Sequence, residues 1–181
     1  MAVNKKLKEI LSTSIYFLVV LVVTFLVVTY VGQRTMVIGS SMESTLSDGD
    51  NLIVDKLSYR FSEPQRFDII VFPFRYAEKT YYIKRIIGLP GETIYIDGNG
   101  TIFIDGEELK ENYGKEVIKD PGRAYEPITL GEDEYFVLGD NRNNSSDSRD
   151  PVVGNIHRDE FIGKAWMRIW PLNKIGMIKH Q

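Results

Sequence analysis

Cysteine is absent from the 181 residues, and histidine occurs only twice, as His157 and His180. The first absence excludes a disulfide framework, a thiolate zinc site, an iron–sulfur cluster and a cysteine nucleophile. The second argues against a histidine-rich metal site, so any hydrolytic machinery must rest mainly on Ser, Lys, Arg, Asp and Glu. No metal and no cofactor is expected. A basic excess is missing too: 22 Lys and Arg stand against 25 Asp and Glu, a net charge of −3, which speaks against a nucleic-acid partner. The length suits one compact domain plus an appendage and excludes a large multidomain enzyme.

The sequence does contain one long hydrophobic run. From Ile15 to Val31 it reads IYFLVVLVVTFLVVTYV, uncharged, with only Thr24 and Thr29 outside the apolar set. As a helix these residues span about 26 Å, and Ser12 to Ser14 with Gly32 bring the segment to bilayer length. A cleaved secretory signal has a shorter apolar core followed by a small-x-small site, whereas this run continues into Tyr30, Val31, Gly32, Gln33 and Arg34. A buried globular helix would need a polar face, which is lacking. The run therefore reads as a membrane anchor. Lys5, Lys6 and Lys8 precede it and only Arg34 follows closely, so the positive-inside rule places the N-terminus in the cytoplasm. The expected organisation is a cytoplasmic N-terminus over 1–12, a transmembrane anchor over 13–32 and an extracytoplasmic β-rich domain over 33–181. That outer domain keeps an acidic excess and so has no general electrostatic affinity for anionic lipid.

Beyond the anchor, short runs rich in Val, Ile, Tyr and Phe alternate with turn signals: TMVIG, SDGDNLIVDKL, FDIIVF closed by Pro73, and TYYIKRIIGLPGE. This spacing predicts a mainly β fold, an all-β barrel or sandwich. The stretch TIYIDGNGTIFIDG reads as a hairpin, because DG and NG favour turns with positive φ. Residues 105–135 are charged and punctuated by Pro and Gly, and read as an exposed excursion. Order resumes at EYFVLGDN and FIGKAWMRIWPL, and no internal repeat is visible.

Three segments could carry chemistry. Gly39 to Leu46, GSSMESTL, presents hydroxyls close to the membrane exit, although Ser and Thr also gather in turns for capping. In Tyr81 to Ile87, strand alternation puts Tyr82, Lys84 and Ile86 on one face, so a lysine sits among large apolar groups; a snorkelling or edge-strand lysine is the plainer reading. Leu138 to Asp150 is almost wholly polar, as a solvated loop would be, yet Asp147 and Arg149 are two apart and would share one side of an extended backbone as a charge pair.

Taken together, Ser41-Met42 inside GSSMESTL, the turn SDGDNLIVDK, the strand DIIVF, the run Tyr82-Ile83-Lys84-Arg85-Ile86-Ile87-Gly88 before LPGE, and GDNRNNSSDSR resemble, in order, the sequence boxes of bacterial type I signal peptidases. The resemblance extends from the anchor to Trp170-Pro171. It implies a membrane-bound serine endopeptidase that removes signal peptides from exported preproteins after small residues one and three places before the scissile bond. By the same resemblance Ser41 is the nucleophile, Lys84 the general base, and Ser145 the serine that hydrogen-bonds and orients the lysine. Asp147 and Arg149 hold the site together, and Gly139, Asp140, Asn141 and Arg142 shape its loop. The oxyanion would meet the backbone N–H of Ser41. Gly39 offers no side chain where some relatives place a helping hydroxyl, leaving Ser40 or another backbone group as second donor. Ser44 stands where the family usually has proline, a change that bears on turn rigidity and not on proton transfer.

This chemistry works without histidine. A lysine is a base only when neutral, so its pKa must fall from about 10.4 by about two or three pH units, at a cost of about 3–4 kcal/mol, through desolvation. The amine can then take the serine proton and return it to the leaving amine. Val37, Met42, Leu46 and Ile83 neighbour the pair and are candidates for shallow substrate pockets, with ordinary core as the competing reading. The expected partners are preproteins, the bilayer and the translocation machinery. Two other functions fit parts of the pattern. A self-cleaving repressor shares a Ser/Lys dyad but lacks an anchor, and a tethered β-domain that only binds a partner would carry a vestigial dyad.

Overall fold

The computed structural model describes residues 2–179, so His180 lies outside the described residues. The chain begins with helix α1 (Ala2–Leu26), which contains neither proline nor glycine. Its described side chains from Lys6 on are exposed, so nothing in the domain covers the apolar surface. The stretch Lys6–Val31 is long and apolar enough to cross a bilayer. At Val27–Val31 the helix loosens into a single π turn, and Gly32 then opens the first strand.

The rest is mainly β, as expected. Its strands are β1 (Gly32–Met36), β2 (Asn51–Asp55), β3 (Ile69–Pro73), β4 (Tyr81–Gly88), β5 (Thr93–Ile96), β6 (Ile102–Ile104), β7 (Glu107–Glu108), β8 (Ile128–Thr129), β9 (Glu134–Leu138), β10 (Ile156–His157), β11 (Gly163–Trp170) and β12 (Gly176–Met177). A larger antiparallel sheet runs β1-β2-β11-β3-β4-β9-β10, with β12 beside β11, and a smaller one runs β7-β6-β5-β8. The predicted hairpin is β5–β6, in register Ile94↔Ile104 and Ile96↔Ile102. Gly100 takes φ +83 in its turn, and the Asp97 carboxylate accepts from the backbone N–H of Asn99 and Thr101.

One feature differs from the sequence expectation. Residues 105–135 are largely exposed, yet Ile118, Ala124 and Leu130 are buried in the core shared with Ile87, Ile94 and Phe136. Sparse apolar residues in a charged segment gave no periodicity from which to read this. His157 ends β10 opposite Glu134, and its backbone N–H donates to Glu160.

The segment between β1 and β2, Val37 to Asp50, projects as a loop tied at its base. Val37 N–H donates to the Asp50 carbonyl, and Gly49 N–H donates back to the Val37 carbonyl. Gly39, at φ +90, turns the chain, and its N–H is taken by the Asp48 carboxylate. Underneath, Val37, Met42 and Leu46 join Leu52, Val54, Ile69 and Ile83 in one apolar cluster. Each such side chain contributes about 1.5–3 kcal/mol by burial, which fixes the height at which Ser41 stands.

Candidate active site

Two elements 43 residues apart in sequence meet at the loop tip. Lys84 on β4 is only 3% exposed, and its Nζ lies 2.8 Å from Ser41 Oγ. The ammonium has one further polar contact, donating to the Ile83 carbonyl at 3.2 Å, while the Tyr82 ring centroid is 5.0 Å away. Burial pushes the Lys84 pKa down to about 8, against the opposing pull of the Asp147 and Asp140 carboxylates. A substantial neutral fraction therefore exists near neutral pH, beside a hydroxyl.

Ser41 is held by its backbone. Its carbonyl accepts the Asn141 N–H at 3.0 Å, and the Asn141 side-chain amide donates to the Ser40 carbonyl at 3.1 Å. Ser41's own N–H has no partner among the described residues, as an oxyanion donor requires. The Ser40 hydroxyl accepts from the Asn144 amide and keeps its own proton to donate. Gly39 contributes no hydroxyl, and its N–H is already spent on Asp48.

Asp147 and Arg149 form the ion pair that their spacing predicted, Nε to Oδ1 at 2.9 Å and Nη2 to Oδ2 at 2.9 Å. Asp147 also accepts the Gly139 N–H, and Arg149 reaches the Asp120 and Arg142 carbonyls, so the pair pins the loop after β9. Arg142 forks onto Glu111, Asn143 takes the Lys119 N–H, and Lys115 bridges to Glu43 at 2.8 Å. Residues 105–135 thus strap the loop that carries Ser41. Gly139 is required where it stands, since a Cβ there would lie 2.5 Å from the Ser41 carbonyl oxygen and 2.2 Å from Ser145 Oγ.

Two expectations need correction. Ser145 makes no hydrogen bond to Lys84; its hydroxyl is buried against Gly139 without a partner, and Lys84 uses Ser41 and the Ile83 carbonyl instead. Val37, Met42, Leu46 and Ile83 are 4%, 2%, 0% and 9% exposed and form the floor beneath the serine rather than open pocket walls.

Sequence reasoning missed Arg85 altogether. Beside Lys84 but on the other face of β4, its guanidinium is fully buried and grips Asp140 with two bonds of 2.8 Å. It also donates to the Phe67 carbonyl and Thr45 Oγ1, and lies 3.7 Å from the Tyr113 ring centroid. Thr45 in turn donates to Asp140 at 2.5 Å. This network joins the lysine strand, the serine loop and the loop after β9. The available signal was an arginine next to Lys84 in a strand whose other residues are aromatic, aliphatic or glycine, though nothing in the spacing named its partner 55 residues on.

Among known families, the signal peptidase family, peptidase S26, matches residues 9–170. A probable signal peptidase I-2 from Synechocystis is 39% identical over 155 residues, covering 83% of this chain and 68% of the relative. A signal peptidase I from Leptolyngbya laminosa is 42% identical, covering 82% and 73%. A signal peptidase I P from Bacillus subtilis subsp. natto is 35% identical, covering 97% of both. A solved signal peptidase I from Enterococcus faecalis is 34% identical, covering 57% of this chain and 97% of that one, with a TM-score of 0.46.

Proposed function

This chain belongs to the S26 family of signal peptidases, and from that membership we propose that Ser41 and Lys84 carry its reaction. It is a membrane-associated peptidase that removes signal peptides from preproteins. The observation that supports the residue assignment is the 2.8 Å approach of a buried lysine, held near pKa 8, to a serine hydroxyl.

In the proposed reaction, neutral Lys84 removes the Ser41 proton as Oγ attacks the scissile carbonyl. The oxyanion is met by the free Ser41 N–H, with the Ser40 hydroxyl as second donor. Lys84 then protonates the leaving amine, and the ester left on Ser41 is hydrolysed by water activated by the same lysine. Asp147, Arg149, Arg85, Asp140 and Asn141 act as positioning residues, and Ser145 lends shape at Gly139. The cut falls after small residues one and three places before the scissile bond. The N-terminus over 1–12 is cytoplasmic, 13–32 crosses the membrane and 33–181 stands outside, resting on lipid, where translocation machinery delivers preproteins still anchored by their signal peptides.

The test is cleavage of a preprotein with an Ala-x-Ala site in detergent. Ser41→Ala and Lys84→Ala should each lower turnover by about a thousandfold or more. Near-normal turnover by either variant would falsify the dyad assignment.

A further inference from the structure

Against Ser44 and Thr45 of the serine loop lies a cavity of about 330 Å³ whose lining also includes Tyr113, Arg168, Lys174 and Lys179. A second cavity of about 490 Å³ shares Tyr113 and Lys179 with it and adds Lys110, so the cationic lining continues past the first. This is unusual in a chain of net charge −3. The nearby acids are already engaged: Asp50 sits 2.9 Å from Arg168, and Glu111 is forked by Arg142. Lys174 has only a 3.4 Å contact with the Ser47 hydroxyl, and neither it nor Lys179 has an acidic partner among the described residues. The Ser44 hydroxyl on one wall and uncompensated ammonium groups on the other suit a phosphate-type anion, which accepts from both.

The same segment also exposes apolar side chains. Leu172, Ile175 and Met177 are 68%, 49% and 61% exposed, interleaved with Lys174 and Lys179. Cations alternating with exposed aliphatic side chains are the pattern of a surface that meets a headgroup and its acyl chains together. We propose that this cavity binds the phosphodiester of an anionic phospholipid, with Lys174 and Lys179 around the phosphate and Leu172, Ile175 and Met177 along the chains. The proposal rests on the membrane placement given above. Because Thr45 lines the cavity and also bonds Asp140, the lipid sits directly against the framework that holds the serine loop.

The test uses the full chain in zwitterionic detergent, titrated with dihexanoyl-phosphatidylglycerol, dihexanoyl-phosphatidylcholine or inorganic phosphate. Trp166 and Trp170, on β11 just before Leu172, provide the fluorescence readout. Phosphatidylglycerol should saturate at a concentration at least about tenfold lower than either comparator. Lys174→Gln with Lys179→Gln should weaken it by about 25-fold, since each lysine near an anionic surface contributes about a factor of five. Lys174→Arg with Lys179→Arg should bind like the parent, which separates charge loss from misfolding. Equal binding of the two lipids, equal binding of inorganic phosphate, an unchanged Gln variant, or displacement of the lipid by hexaglutamate at lower concentration would each overturn the site. The titration is repeated on Ser41→Ala, with preprotein cleavage by the parent measured in parallel. Discriminating lipid binding without parental cleavage would sink the proposed function and leave the lipid site standing; cleavage without discrimination would do the reverse.

Discussion

Burial holds the Lys84 amine near pKa 8 while the Asp147 and Asp140 carboxylates pull it upward, so its two protonation states have different consequences for rate and for stability. Only the neutral amine can accept the Ser41 proton. Activity should therefore fall about tenfold per pH unit below pH 8 and level off above it, as read from kcat/KM on a preprotein substrate between pH 5 and 10. A flat profile would remove Lys84 as base. Through this residue stability also rises with pH, but over a higher range than activity does. Folded Lys84 binds its proton less tightly than the unfolded chain does, so the folded state is penalised in full below pH 8, and the penalty fades as pH rises toward 10.5. Lys84→Met should consequently abolish cleavage while stabilising the protein at pH 7 by up to about 3 kcal/mol, with little gain at pH 10. Denaturant unfolding at the two pH values reads the difference, and equal effects at both would refute a charge-burial origin. This lysine's apolar surroundings were legible from the alternation of Tyr82, Lys84 and Ile86. The unpartnered state of Ser145 was not, because a hydroxyl's partner depends on ångström-scale backbone placement at Gly139.

Strand β4 turns opposite faces to two polar arrangements, Lys84 toward Ser41 and Arg85 toward Asp140. The second has both side chains wholly buried, so removing one partner leaves an uncompensated charge in the core. Asp140→Ala should cost about 3–5 kcal/mol in unfolding free energy, and it should also depress turnover, because Thr45 loses its acceptor and the serine loop loses a tie. Replacing both residues, Arg85→Leu with Asp140→Leu, should recover much of the stability. If Asp140→Ala unfolded within about 1 kcal/mol of the parent, the network would not be what joins β4 to the two loops. The strands themselves and the β5–β6 hairpin could be read from composition and turn residues, since those signals are local. The Arg85–Asp140 pair, the tie of Lys115 to the serine loop and that of Glu111 to the loop after β9 could not, since each depends on which segments become neighbours in the fold.

At the scale of the whole molecule, the exposed apolar surface of α1 and the serine site have to be reconciled with one orientation in a bilayer. Nothing in the domain covers α1 from Lys6 onward, and Gly32, immediately after the span, begins the sheet that positions the loop from Val37 to Asp50. Only the short strand β1 separates span from loop, so in the proposed topology the Ser41 site is tethered near the membrane surface and reaches bonds presented there. The proposed topology rests on charge: Lys5, Lys6 and Lys8 on one side against Arg34 on the other favour an inner N-terminus. The absence of cysteine makes the test clean, because a single introduced thiol carries the whole signal. In intact cells, Asn99→Cys at the exposed tip of the β5–β6 turn should react with a membrane-impermeant maleimide, while Asn4→Cys should react only after the membrane is opened. Labelling of Asn4→Cys alone in intact cells would invert the topology and put Ser41 on the side where no translocated preprotein emerges. Labelling of both without permeabilisation would mean that Lys6–Val31 does not cross the bilayer, and the substrate would then need some other route to the serine.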